Sequence, residues 1–144
     1  MSPDIQIPWE QYPALFATRE QGGCGHGCGA GWYALINKAC IQFAEIQRAT
    51  GLQVLVQQTK EKMGFLRLYA STTAPASMPE GSADIWFDIV QAIVYRAESQ
   101  SMQTCEESGA WGKARPLLGW IKTLSDEEYA KRVVERYGQT VEVF

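Results

Sequence analysis

The chain carries a single histidine, His26, in 144 residues. That scarcity alone thins the catalytic possibilities, because a serine or cysteine hydrolase would have to use this one imidazole. It sits two residues from both Cys24 and Cys28 in a glycine-rich stretch, a poorly preorganised place for a nucleophile and its base. No G-x-x-x-x-G-K-[ST] loop is present and no register of the glycines reads G-x-G-x-x-G, so the two common phosphate-cradling motifs are missing. No apolar run approaches the ~18 residues of a membrane span. The opening MSPDIQIPWEQYP lacks the basic and apolar regions of a secretory leader. Neither sign of charge dominates: 13 Lys and Arg face 16 Asp and Glu, a formal net charge of −3, which excludes the broad basic footprint of a duplex-DNA binder. Long acidic runs are missing too, the densest cluster being Asp126, Glu127 and Glu128. There is no internal repeat. Four cysteines in a chain able to build a real core read as thiols rather than staples, and a cytoplasmic location is the simplest expectation.

What is present suits one domain over residues 1–144, with 46% hydrophobic residues to fill its core. Residues 1–21, with Pro3, Pro8 and Pro13 among Trp9, Tyr12, Leu15 and Phe16, read as an arm that begins extended, becomes briefly helical and docks through its aromatics. Six glycines within residues 22–31 mark a tight loop. From Gly31 to Thr50, Trp32, Ile36, Ala39, Cys40, Phe43 and Ile46 recur at the helix period, and Gly51 is placed to stop the helix. The runs 52–56 and 65–70 predict a β-hairpin joined by a polar turn around Gly64, with Phe65, Arg67 and Tyr69 on one face and Leu66, Leu68 and Ala70 on the other. After the small-residue loop 71–81, Ser82 is expected to cap a helix with Asp84 in its first turn. Ile85, Trp86, Ile89, Val90, Ile93, Val94 and Ala97 predict that this helix is buried on a wide face. Ser125 to Glu128 forms an S-x-x-E capping box opening a helix that Gly138 ends, and the tail 140–144 reads as an edge strand. The expected fold is α+β: a β-hairpin or small antiparallel sheet packed against two or three amphipathic helices.

Residues 103–128 have the outline of a zinc ribbon whose ligands are largely gone. A first knuckle would need two cysteines and a second a cysteine and a histidine, yet the positions hold Cys105 and Ser108, then Ser125 and Glu128. One thiolate cannot hold a structural zinc alone. A combination of motifs, Gly31-Trp32-Tyr33-Ala34-Leu35-Ile36, the run Lys60 to Tyr69, Ala97-Glu98-Ser99-Gln100-Ser101, Cys105 with Ser108, and Gly119 to Glu128, resembles a family of small uncharacterised proteins of phages, prophages and bacterial mobile elements over residues 24–130. In that family the last two blocks read C-x-x-C and G-W-x-x-T-L-C-x-x-H. The resemblance implies a mobile-element context and a family fold with degenerate metal ligands, and it carries no activity.

Three groups of residues are candidate sites. Cys24, His26 and Cys28 are the fallback for a soft-metal or thiol site, against the plainer reading of a glycine turn with buried thiols; no cofactor is expected. Lys60, Lys62 and Arg67 beside Phe65 and Tyr69 form a basic and aromatic spot suited to a single strand or a phosphate, unless Arg67 merely pairs with a carboxylate across the hairpin. Trp111 and Trp120 flank GKARPLLG, where Lys113 and Arg115 would complete a protein-binding anchor, or the indoles fill space that a metal organises in relatives. The expected function is non-enzymatic: a phage or mobile-element accessory protein that binds a host or phage protein through Arg67, Tyr69, Trp111, Lys113, Arg115 and Trp120, with a bacterial defence system as one target class. A nucleic-acid module descended from a zinc ribbon, acting through Lys60, Lys62 and Arg67 with Lys113 and Arg115, and a small Cys/His metal or thiol enzyme are the alternatives. The short edge strand and aromatic arm also leave room for a homodimer.

Overall fold

The computed structural model describes residues 6–117 and 119–138. Along the chain it contains α1 (Pro8–Gln11), β1 (Gly25–His26), α2 (Tyr33–Thr50), β2 (Gln53–Lys62), β3 (Phe65–Thr73), α3 (Ser82–Ser101), β4 (Lys113–Leu117), β5 (Trp120–Leu124) and α4 (Asp126–Tyr137). Strands β1, β2 and β3 form one sheet in that order and β4 and β5 a second, so the α+β expectation holds. The expected strand 140–144 lies outside the described residues.

The hairpin is longer than its sequence suggests. β2 runs through the polar stretch that reads as a turn, and the loop is only Met63-Gly64. A bulge at Gln57 explains the discrepancy: Val54 and Val56 point inward before it and Thr59 after it, so strict alternation breaks and the strand signal fades. Both loop residues have positive φ, 54° at Met63 and 88° at Gly64, the pairing of a type I′ turn whose twist matches the strands. The glycine loop supplies the third strand. Cys24 N–H donates to Gln57 O at 2.8 Å and Gly27 N–H to Thr59 O at 2.9 Å, pairing β1 parallel to β2, while Ala17 N–H reaches Val56 O at 2.8 Å. The arm and the loop thus cover one edge of the hairpin, with Leu15, Phe16 and Ala17 buried as the aromatic pattern implies.

The other edge is closed by α3. Ser101 Oγ accepts from Leu66 N–H at 3.0 Å, Glu98 Oε2 from Leu68 N–H at 3.0 Å, and Gln91 Nε2 donates to Ala70 O at 3.1 Å. Three side chains of one helix therefore satisfy a strand edge that would otherwise invite pairing with another chain. The helix differs from expectation in two ways. Its N-cap is Gly81 rather than Ser82, which is already helical. Its buried stripe is narrow, comprising Val90, Val94, Ala97 and Ser101, whereas Ile85 is 62% and Ile89 38% exposed because no element among the described residues lies over that side. α2 begins after a 3-10 turn at Ala30–Trp32 and ends at Gly51 (φ 78°) as expected, and its buried residues Ile36, Ala39, Cys40, Phe43 and Ile46 join Leu66, Leu68, Val54 and Val56 in the core.

The β4–β5 hairpin docks under the tip of the first one. Thr123 Oγ1 donates to Gly64 O at 2.6 Å, and a Cβ at Gly64 would stand 3.0 Å from Ile121 Cγ2. Ser125 Oγ accepts Glu128 N–H at 3.1 Å and caps α4, which Gly138 terminates.

The turn yields a stability prediction with opposite signs at neighbouring positions. Met63→Asn, at an exposed left-handed residue, is expected to raise the unfolding free energy by about 0.5–1 kcal/mol, and Gly64→Ala to lower it by at least about 1–2 kcal/mol. Urea unfolding midpoints of the two variants check both signs.

Candidate functional site

Side chains on β2 and β3 alternate, so one face of the hairpin meets the core and the other does not. The register places Lys62 opposite Phe65, Lys60 opposite Arg67 and Gln58 opposite Tyr69 on the face turned away from Leu66 and Leu68. The structure therefore gathers Lys60, Lys62, Arg67, Tyr69 and Phe65, which sequence reasoning divides between a protein-binding and a nucleic-acid reading, on one surface. Lys60 Nζ stands 5.6 Å from the Tyr69 ring centroid, a cation–π contact. Among the described residues none of the three cations has a carboxylate within ion-pair distance. Arg67 faces a lysine across the hairpin, not the carboxylate that the plainer reading calls for. Directly opposed like charges cost roughly 0.2–1 kcal/mol.

The second candidate group separates. Arg115 is only 4% exposed: its Nε donates to Leu124 O at 3.0 Å, its guanidinium pairs with Asp126 and it lies 4.9 Å from the Tyr129 ring centroid. It joins β4, β5 and α4 and is removed as a partner-binding or nucleic-acid residue. Lys113 is half-buried opposite Leu124. Trp111 and Trp120 remain, 62% and 71% exposed. Trp120 lines an open cavity of about 530 Å³ with Leu117, Lys122, Arg132 and Arg136. Two of its cations are already neutralised. Lys122 pairs with Glu61 at 3.0 Å and Glu106 at 3.6 Å, and Arg132 pairs with Glu107. Burial pulls the Lys122 ammonium down, but the two carboxylates more than reverse this and hold its pKa above the ordinary lysine range.

Cys24, His26 and Cys28 do not converge. Among the described residues no group of three or more His, Cys, Asp or Glu side chains is arranged to hold a metal. Cys24 is exposed and Cys28 partly buried, and both imidazole nitrogens of His26 are engaged. His26 Nε2 faces Ala17 O at 3.0 Å, so it carries the hydrogen and donates, leaving Nδ1 to accept from the Thr59 hydroxyl at 3.3 Å. The ring also packs edge-on against Phe16 at 5.0 Å. It clamps the arm to β2. The Cys28 thiol is pushed up to about 12 by burial and by the charge of Glu106, the reverse of what a nucleophile or metal ligand needs.

Cys105, where the sequence outline expects a knuckle ligand, is a hydrogen-bonded thiol. The Cys105 sulfur, fully buried, accepts the Ser108 N–H at 3.4 Å, and Ser108, Glu107 and Ser125 supply the polar groups around it. At Ser125 the half of the predicted capping box in which its side chain accepts the Glu128 N–H forms. Burial raises the Cys105 pKa, and the donors outweigh it to give a net lowering. Sequence reasoning missed Glu106 as the group beneath the glycine loop, and the edge-closing role of Glu98 and Ser101, which lie in the run Ala97 to Ser101 singled out above.

The chain matches no protein-family model, no curated protein and no solved structure.

A depressed thiol pKa stabilises the fold through its charged form. That contribution is complete above the unfolded-state value of about 9 and is lost as pH falls through the folded one. The stability difference between the native chain and Cys105→Ala is expected to widen as pH rises from 7 towards 9, read from urea midpoints across that range. A difference that narrows would place a neutral thiol in the knuckle.

Proposed function

We propose that the protein is a non-enzymatic binding protein of a phage or other mobile element, and that it blocks or redirects a host factor by docking an acidic segment of that protein on the open face of the β2–β3 hairpin. The observation that carries this reading is the gathering of Lys60, Lys62 and Arg67 on one uncovered sheet face without a neutralising carboxylate among the described residues. Two opposed cations next to an exposed tyrosine, Tyr69 at 44%, provide charge attraction and an aromatic anchor together. A component of a bacterial defence system is the target class suggested by the mobile-element resemblance. The absence of catalysis is supported by the engaged imidazole of His26 and the raised thiol of Cys28. Four free cysteines suit the reducing cytoplasm, and among the described residues no helix is long and apolar enough to cross a membrane. Descent from a zinc ribbon accounts for the knuckle at Cys105, whose sulfur now takes hydrogen bonds instead of a metal.

A second reading is favoured by one feature. Phe65 and Tyr69 lie four residues apart on the same face of β3, ~13 Å along the strand, with Arg67 between them, a placement that lets two bases of one strand stack while the cations follow its phosphates.

Charge reversal separates function from folding here. Lys60→Glu places a carboxylate opposite Arg67, so it is expected to stabilise the fold by about 0.2–1 kcal/mol while weakening partner binding about tenfold or more. Retention of a host protein on the immobilised native chain, lost with Lys60→Glu and Arg67→Glu, supports the protein-binding reading; undiminished retention overturns it. Anisotropy with a short single-stranded oligonucleotide decides the alternative, which requires affinity falling with salt at a slope of about −0.7 per phosphate contacted.

A further inference from the structure

α3 presents to solvent a face that contributes nothing to the core. At the helical period, Ile85, Asp88, Ile89, Ala92, Tyr95 and Arg96 fall opposite the buried stripe of Val90, Val94 and Ala97. Ile85 and Ile89 are exposed, Tyr95 is 72% exposed, and Ala92 is exposed between them. Large apolar residues stacked on one side of a helix, rather than scattered singly, mark a surface that another molecule covers. The charges indicate which molecule. Asp88 and Arg96 bracket Ala92 at equal separations, on consecutive turns of the same face, and neither has an ion-pair partner among the described residues.

A surface with opposite charges placed symmetrically about a small residue is complementary to itself. Laid antiparallel on a second copy about a two-fold axis through Ala92, α3 sets Asp88 against Arg96 of the second copy, and Arg96 against its Asp88. The same register sets Ile89 on Tyr95 of the second copy and Ile85 beside its Ser99. Alanine at the crossing lets the axes approach towards the lower end of the usual ~8–10 Å separation. We infer that the protein forms a two-fold homodimer through the outer face of α3, with Ala92 at the crossing and two Asp88–Arg96 pairs fixing the antiparallel register.

One helix face of 20 residues offers less than the ~800 Å² per partner of a standard interface, so the dimer is concentration-dependent, with dissociation in the micromolar range. The binding face on β2 and β3 is on a different element, so dimerisation would present it twice and raise avidity for a multivalent partner.

Sedimentation equilibrium of the full chain over a concentration series tests this. A monomer–dimer equilibrium is expected for the native protein, weakened at least tenfold by either Asp88→Arg or Arg96→Asp, both at exposed positions that leave the melting temperature unchanged. The two single variants mixed in equal amounts are expected to recover a heterodimer, because the mixture restores opposite charges at both pairs. The D88R/R96D double variant is expected to recover the homodimer. A chain that stays monomeric at every concentration overturns the inference, and so does a dimer indifferent to these reversals, which would place the contact on another surface.

Discussion

Glu106 joins the two sheets, and the remaining elements are arranged around it. Its side chain is 7% exposed, accepts the Gly29 N–H at 2.9 Å and lies 3.6 Å from the Lys122 ammonium, which also reaches Glu61 at 3.0 Å on β2. Its backbone accepts from Gly31 at 2.7 Å and donates to Thr123 at 3.0 Å. One residue thereby ties the glycine loop, the long hairpin and the β4–β5 hairpin. A buried carboxylate is tolerable only when fully partnered, and removing one member of such a cluster costs about 3–5 kcal/mol. This constraint explains the glycines at 29 and 31, where any Cβ would collide with Glu106 or the Cys105 carbonyl. It explains Trp32 as well, whose indole N–H donates to Thr104 O at 2.8 Å from a fully buried position.

Seen from this junction, the sequence motifs divide into two kinds. Gly31-Trp32 meets Thr104 to Glu106, Glu98 and Ser101 close the edge of β3, and Thr123 holds the Gly64 turn. These are joints of the fold. The basic and aromatic residues at 60, 62, 65, 67 and 69 stabilise nothing comparable, and the Lys60–Arg67 opposition works against stability.

The α+β class, α2 with its stop at Gly51, and the two faces of β3 were legible because each follows from a short-range period or a single φ requirement. The full length of β2 was not, since the bulge at Gln57 interrupts alternation and the residues beyond it are polar. The narrow burial of α3 was hidden because Ile85 and Ile89 look like core until the layer that would cover them is known to be missing from the described chain. Basic residues also mislead one at a time. Arg67 and Arg115 look alike in sequence, yet one faces Lys60 across an open sheet and the other is buried beneath α4, a distinction made only by tertiary contacts. The Ser108 N–H that the Cys105 sulfur accepts is a backbone group invisible to sequence.

The central claim is that Glu106 couples the glycine loop to the β4–β5 hairpin. Native-state amide hydrogen exchange on the intact chain and on Glu106→Ala tests it directly. The account predicts that the Gly29 and Gly31 amides and those of β4 and β5 lose protection together, by about a hundredfold, the equivalent of the ~3 kcal/mol at the low end of the cost of breaking a buried charge cluster. Faster exchange at Gly29 alone, with β4 and β5 as protected as before, would contradict it.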